Sequence, residues 1–457
     1  MYKTQLQLQS KTKGTKMKKI ILTILLILLL SSLIGLIIIK YKFTPIINSK
    51  EFLLEYENIG EENEGYIVVN NKNKYGYYDI SKKQLLTKIE YQIPSNMKLN
   101  EETALEELIF VDGLAPITIK DQYGLINKKG KTVIEPKYEY IKVYNKDLIL
   151  VYKDSKYYFI NSKDQKLNDS KFEIITEINN NIFAVYDGIN YGVINNNFEY
   201  LIELKYEQIN TTKNEEDIII IATIQNEKEY YLTKDNKIIK LNIPSNLTLI
   251  TIFNEKIYFE DNEGFYQIYD ILSQKLTKFT KKYEGIGFFN DGIIQVINEE
   301  MKVGFINELE EIIIPFEYDY NQTSDFTKYR YATAEKNGLV GVINKKNETI
   351  IPFKYKEIYI ISENYFLITD KNNQIDIIDI NNKNTTNNKY SNISLTTEDK
   401  YLLTEIKKDN KTLFGIINVE GKEIIEPNYI NIKITNNYLE LKTANNKYKL
   451  IRKESLQ

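Results

Sequence analysis

The 457-residue sequence contains no cysteine, no histidine and no tryptophan, and it uses only 19 glycines and 8 prolines. Without cysteine there is no disulfide framework, no thiolate nucleophile, no iron–sulfur ligand set and no lipidated cysteine. Without histidine the commonest general base and the commonest transition-metal ligand are missing. Carboxylates alone remain for glycosidase chemistry or calcium. An excess of one charge is absent too: 60 Lys and Arg face 63 Asp and Glu, a net −3. No basic surplus therefore supplies the usual electrostatic grip on nucleic acid. Phosphate loops, dinucleotide fingerprints and nucleophile elbows do not occur. The expectation is a chain without catalytic residues, cofactor or metal, and not an enzyme.

Hydrophobic residues make up 42% and aromatics 12%, with 37 tyrosines, enough for a sizeable core. Ile, Asn, Lys and Tyr are abundant together, as A/T-rich codon usage would produce. The same bias accounts for sequons such as Asn246-Leu247-Thr248 without invoking glycosylation.

One long apolar run stands out. Ile20 to Ile39 carries no charge, and twenty residues at about 1.5 Å each match a bilayer core of roughly 30 Å. Lys3, Lys11, Lys13, Lys16, Lys18 and Lys19 precede it, with no acidic residue among positions 1–19. The positive-inside bias then puts the N-terminus in the cytoplasm and the remainder outside. The run is longer than a signal-peptide core, and Leu36-Ile37-Ile38-Ile39-Lys40 offers no small-residue cleavage pair. The expected order is a basic tail (1–19), a transmembrane helix (20–39), a linker (40–52) and an exposed part (53–457), secreted if the segment is cleaved.

The exposed part repeats a short core: aromatic or aliphatic residue, Gly, apolar residue, Ile, then Asn or Asp. It reads Tyr123-Gly124-Leu125-Ile126-Asn127, Tyr191-Gly192-Val193-Ile194-Asn195 and Phe414-Gly415-Ile416-Ile417-Asn418, with further copies at Gly76, Gly304 and Gly341. Degenerate copies keep the register without Gly at positions 158, 231, 267, 376 and 449. After a first step of 48, successive copies lie 34 to 39 residues apart, giving about eleven units. Downstream of the core comes a turn, a β-branched stretch, often Pro, then Tyr, as in Ile134-Glu135-Pro136-Lys137-Tyr138 and Ile351-Pro352-Phe353-Lys354-Tyr355. High β propensity without a helical period makes each unit three or four short antiparallel strands. The fold class is all-β, a tandem array closing as a β-propeller-like ring or stacking as an open β-superhelix. The glycines Gly76, Gly124, Gly192, Gly304, Gly341 and Gly415 are read as structural, allowing close approach of neighbouring strands, with looser packing expected where Gly is replaced. A short helix capped by Asn100 is expected over 100–108, and Asn381 to Asn388 reads as a solvated loop.

At these residues the chain resembles the WG-repeat (KWG-repeat) proteins of bacteria, over about Leu53 to Lys453. The resemblance implies an all-β repeat scaffold for interactions, without catalytic residues. The family's Trp is replaced throughout, by Tyr75, Tyr123, Tyr191, Val303, Val340 and Phe414.

The functional expectation is a membrane-anchored envelope protein that binds a protein partner as a non-catalytic scaffold. An alternative is glycan or peptidoglycan binding through exposed Tyr faces, against the plainer reading of Tyr packed between strands. A third is a carboxylate-based glycan hydrolase, which would need two acids in a concave cleft. The Glu62/Glu64 and Glu308/Glu310/Glu311 groups read as solvated surface, and Asp112-Gly113, Asp187-Gly188 and Asp291-Gly292 as turns rather than calcium loops.

Overall fold

In the computed structural model the described residues are 51–93, 105–168, 172–179, 181–213, 218–234, 236–290 and 292–456. They form antiparallel sheets almost throughout, in ten groups of three to seven strands. The seven-stranded group is two units joined by the single pair Asp319↔Glu335. Eleven units result, at 58–92, 114–138, 140–160, 174–206, 208–240, 248–278, 285–319, 331–355, 357–379, 392–429 and 431–452. The apolar run Ile20–Ile39 lies outside the described residues, among which no helix is long and apolar enough to cross a membrane. Of the helix expected over 100–108, residues 105–107 are described and are helical.

A full unit has strands a to d in order, each paired with the next. In the fourth these are Ile174–Asn179, Ile182–Tyr186, Tyr191–Asn195 and Tyr200–Tyr206. Strand c is the repeat core. Its residues are buried on both faces, as in Gln122–Asn127, where Tyr123, Gly124, Leu125 and Ile126 are all covered. Such a strand reads as a continuous apolar run because the sheet is packed from both sides. Strand d alternates instead, with Ile134 buried and Glu135 exposed.

Both faces are covered by neighbouring units. Eleven hydrophobic clusters occur, and each lies between two consecutive units. Tyr123, Leu125 and Ile134 of the second unit meet Ile141, Ile149 and Val151 of the third. The last cluster joins the two ends: Leu54, Ile59, Ile67 and Val69 pack against Tyr438, Tyr448 and Leu450. An open array of eleven units has ten interfaces; the eleventh closes the series into a propeller-like ring. The eleventh unit takes its fourth strand from the other end of the chain, Glu51–Leu54, which pairs with Tyr448–Arg452. The seam also carries a hydrogen bond from Asn437 Nδ2 to Glu62 Oε2 at 2.7 Å and ion pairs from Lys433 to Glu61 and from Lys447 to Glu55.

The repeat glycines mark a break in register between strands c and d. Pairing shifts across Gly124, Gly192, Gly304, Gly341 and Gly415. At Gly76 the partner splits into two short strands, Gln84–Leu85 and Tyr91–Gln92. Strand d bulges there and lays its backbone over the glycine. A Cβ on Gly124 would sit 2.4 Å from the Ile134 carbonyl oxygen and 2.7 Å from the Pro136 nitrogen. Proline suits the bulge because its nitrogen has no proton to leave unpaired. In units without the glycine, strand d keeps unbroken register opposite Tyr231, Gln267 and Lys449, while in the third and ninth units the described pairing there is the single bridge Ile160↔Lys166 or Ile378↔Asn384. Of the residues in place of Gly, Tyr231, Gln267 and Asp376 are buried, while Tyr158 and Lys449 are half-buried.

Two other repeat residues acquire definite roles. The Asn closing each core folds the c–d turn: Asn127 Oδ1 accepts from the amides of Lys129 and Lys131, and Asn344 and Asn418 do the same two and four residues on. The Tyr ending strand d ties its unit to the next. Tyr138 Oη donates to Asp164 at 2.6 Å, Tyr318 to Asn347 at 2.5 Å and Tyr355 to Asn382 at 2.6 Å, each acceptor lying in the following unit's c–d turn. The 381–388 segment is only partly a solvated loop. Thr386 is buried because its hydroxyl donates to Asp376 Oδ1 at 2.8 Å.

Two outcomes follow. Gly415→Ala puts a Cβ 2.6 Å from the Ile425 carbonyl, so it should destabilise by about 1–3 kcal/mol in urea unfolding, with Lys449→Ala near neutral. Leu54→Ala should destabilise by about 2–5 kcal/mol and speed amide exchange in both 58–79 and 431–452. Exchange confined to one end would mean that the ring is not held by this seam.

Candidate binding site

The six repeat glycines are not brought together. Each serves its own unit, and none borders the cavity described below. The tyrosine excess is likewise spent mainly inside the ring, in the tethers above and in edge-to-face contacts such as Tyr75 with Tyr77. Among the described residues Tyr200, Tyr320 and Tyr359 are the strongly exposed ones, and they belong to different parts of the ring. Of the carboxylates read as solvated, Glu310 receives the Thr280 amide at 2.6 Å from the preceding unit, and Glu62 receives Gly65 N–H at 2.7 Å. Asp112 and Asp187 accept backbone amides of turns, and no group of acids able to hold a metal ion occurs among the described residues.

The a–b loops of successive units touch one another. Gly113 N–H reaches Glu64, and Lys146 N–H reaches Asp112. In the sixth to tenth units these loops converge on a cavity of about 730 Å³. Phe253 enters from the sixth unit, Asn290 from the seventh, Asp325 and Tyr329 from the eighth, Ile361 from the ninth and Leu395 from the tenth.

The eighth unit, like the second, departs from the four-strand pattern, and here the departure shapes the cavity. It has no strand a; residues 320–330 run as bends and turns instead. Side chains hold this segment in place of a ladder. Thr323 Oγ1 donates to the Asp319 carbonyl at 2.6 Å and accepts from Glu335 N–H at 3.0 Å. Phe326 fills the core against Phe305, with ring centroids 5.0 Å apart. The intervening Asp325 is pressed onto the seventh unit, where its Oδ1 accepts the Phe288 amide at 3.0 Å. Gly287 makes room for it: a Cβ there would lie 1.9 Å from Asp325 Oδ1. Asn290 Nδ2 fastens the same join by donating to the Phe326 carbonyl at 2.6 Å.

Charge in the cavity is unevenly matched. Asp399 is paired with Lys328, and Glu398 with Lys453. Asp325 has no ion pair among the described residues, and within them its carboxylate accepts one hydrogen bond, from the Phe288 amide. Burial pushes its carboxyl up to about 6, with that amide acting in the opposite direction. Nearby, burial raises the Tyr258 hydroxyl, which accepts the Phe289 amide at 2.9 Å. Neither Asp325 nor Gly287 belongs to the repeat motif. The available signals were the lack of an alternating apolar strand in 320–330 and the extra Gly285-Ile286-Gly287 run outside the repeated core.

A family profile described as "WG containing repeat" matches residues 123–157, 191–228, 304–339 and 341–373. The chain carries WG repeats. Each matched stretch begins at or beside a repeat glycine of strand c and continues into the next unit of the WG array. No curated protein matches. Among solved structures, a computationally designed protein, Ika8, aligns at TM-score 0.29 and 9% identity over 62% of this chain and 97% of its own. A eukaryotic initiation factor aligns at 0.34 and 13% over 67% and 93%. BamB from Moraxella catarrhalis aligns at 0.29 and 10% over 61% and 93%. At these scores the likenesses carry no argument.

The Asp325 environment gives a pH prediction with a definite sign. An unfolded aspartate loses its proton near 3.8, the folded one near 6. The carboxylate therefore opposes folding above pH 6, and the opposition is relieved as pH falls from 6 towards 4. Asp325→Asn keeps an acceptor for Phe288 and should be the more stable form at pH 7.5, by about 1–2 kcal/mol. The advantage should vanish near pH 4; parallel stability curves for the two forms would place Asp325 in an ordinary solvated setting.

Proposed function

We propose that the chain is a non-catalytic binding scaffold of the cell envelope, held to the membrane by Ile20–Ile39 with its repeat ring outside. The observation that carries the binding reading is the convergence of loops from five successive units on one concave cavity with mixed apolar and polar walls. WG repeats are compatible with such a role. The anchor reading rests on the uncharged run and the lysines before it.

The glycan alternative has less support. Stacking on sugars needs outward aromatic faces in a row, and only three described tyrosines are strongly exposed, with several hydroxyls spent on neighbouring turns. For a hydrolase, Asp325 has the raised pKa of a general acid, while Glu398 and Asp399 of the same cavity are each held by a lysine.

The test is affinity capture with the full-length chain in mild detergent against fractionated envelope material. Leu395 lines the cavity and is 52% exposed, so Leu395→Trp obstructs it at little expense to folding. Specific proteins retained by the wild type, insensitive to glycan competitors and lost with Leu395→Trp, support the scaffold reading. Retention by purified peptidoglycan, or release of sugar fragments from it, overturns that reading in favour of the glycan ones.

A further inference from the structure

Resting on the reading of this cavity as the binding site, we propose that it receives a protonated primary amine on a short apolar stem, with Asp325 as counter-ion. A lysine side chain and a free aliphatic amine share this chemistry.

The argument starts from charge. Among the described residues three carboxylates line the cavity, and two of them are neutralised by Lys328 and Lys453, which leaves the negative charge of Asp325. A half-buried carboxylate without a partner favours an incoming cation and disfavours anions. The kind of cation follows from the remaining valence. Asp325 Oδ1 already accepts the Phe288 amide, so a guanidinium gripping both oxygens side by side would have to share one of them. An ammonium, a point charge with rotatable donors, needs only one. A divalent metal is a poor fit because it wants several oxygen ligands, and no acidic group of that kind occurs among the described residues.

The walls select the stem. Phe253, Tyr329, Ile360, Ile361 and Leu395 line the same cavity, and Phe253 is held by stacking on Phe288 at 4.5 Å between centroids. Apolar walls take up methylene groups, and aromatic faces attract an ammonium further. Asn254, Asn290 and Thr396 add polar groups that can orient whatever bears the stem. The carboxylate is also held at a position where its own folding is opposed by burial, an opposition that a bound cation relieves.

The probes are n-pentylamine, n-pentanol and Nα-acetyl-lysine amide, titrated calorimetrically into the full-length chain in mild detergent. The two amines should bind and the neutral alcohol should bind at least tenfold more weakly. Asp325→Asn should weaken amine binding at least tenfold at pH 7.5. Leu395→Lys, on an exposed position, supplies a built-in cation without disturbing the Asp325–Phe288 contact and should abolish binding; it serves if the Asn variant misfolds. Both amines stay charged across the range, so wild-type binding should fall as pH drops through 6. The charged neighbours in that range are Lys328 on the same segment, Glu398 and Asp399 from the tenth unit, and Lys453 beyond it, with the Tyr258 hydroxyl neutral throughout. Tighter binding of the lysine amide than of pentylamine assigns the site to a lysine of a partner protein; the reverse order assigns it to a free amine. Equal binding of alcohol and amine, or of wild type and Asp325→Asn, overturns the proposal. If amines fail to bind while envelope capture still depends on Leu395, the amine assignment falls and the scaffold reading stands. If amines bind at Asp325 but capture ignores Leu395→Trp, the scaffold reading falls instead.

Discussion

A single unit of this chain cannot bury its own sheet. Its central strand is apolar on both faces, as in Gln122–Asn127, so each unit needs a neighbour on either side. Every other feature follows from that need. The eleven clusters are shared between units rather than owned by any, and the ends of an open stack would each expose one apolar face. The chain avoids this by closing, with Glu51–Leu54 supplying the strand that the last unit lacks. Closure removes two apolar ends and one unpaired strand edge at once.

Closure also explains the polar residues of the repeat. Hydrophobic contact between sheets has no direction, so it leaves the relative rotation of two units poorly fixed. The tyrosine ending strand d adds the missing direction, since Tyr138, Tyr318 and Tyr355 each reach one particular residue in the next turn. That acceptor has a left-handed backbone, with φ of 62°, 63° and 61° at Asp164, Asn347 and Asn382. Each turn thus displays its side chain in a repeated pose. Small angular errors would accumulate over eleven units and keep the ends apart, so a specific bond at several joins matters more than its individual strength of about 1 kcal/mol.

The sequence was most legible where the units are alike. The Tyr-Gly-x-Ile-Asn core is visible as a repeat, and it lies on strand c in unit after unit. Its physical reasons were less visible. Glycine at 124 is required by the carbonyl of Ile134, ten residues on, through a bulge that no local pattern announces. Tyrosine invited a reading as an external binding surface because its flat face suits sugars, yet several of its hydroxyls close internal joins. The distinction depends on which residue lies across the interface, and that is a property of the ring rather than of the unit.

Asp325 was illegible for the opposite reason. Periodicity reports what the units share, whereas the cavity is built from what they do not. The eighth unit has no strand a, and a side-chain-bonded segment runs in its place. That segment exposes Asp325 to the Gly287–Phe288 backbone of its neighbour, where a regular strand would have presented an alternating edge. The irregularity has a stability cost, because a carboxylate held at about 6 opposes folding at neutral pH. Ten other interfaces can absorb about 1–2 kcal/mol at one join without opening the ring. A closed repeat array can therefore carry an irregular unit at modest cost, because the regular members supply the stability.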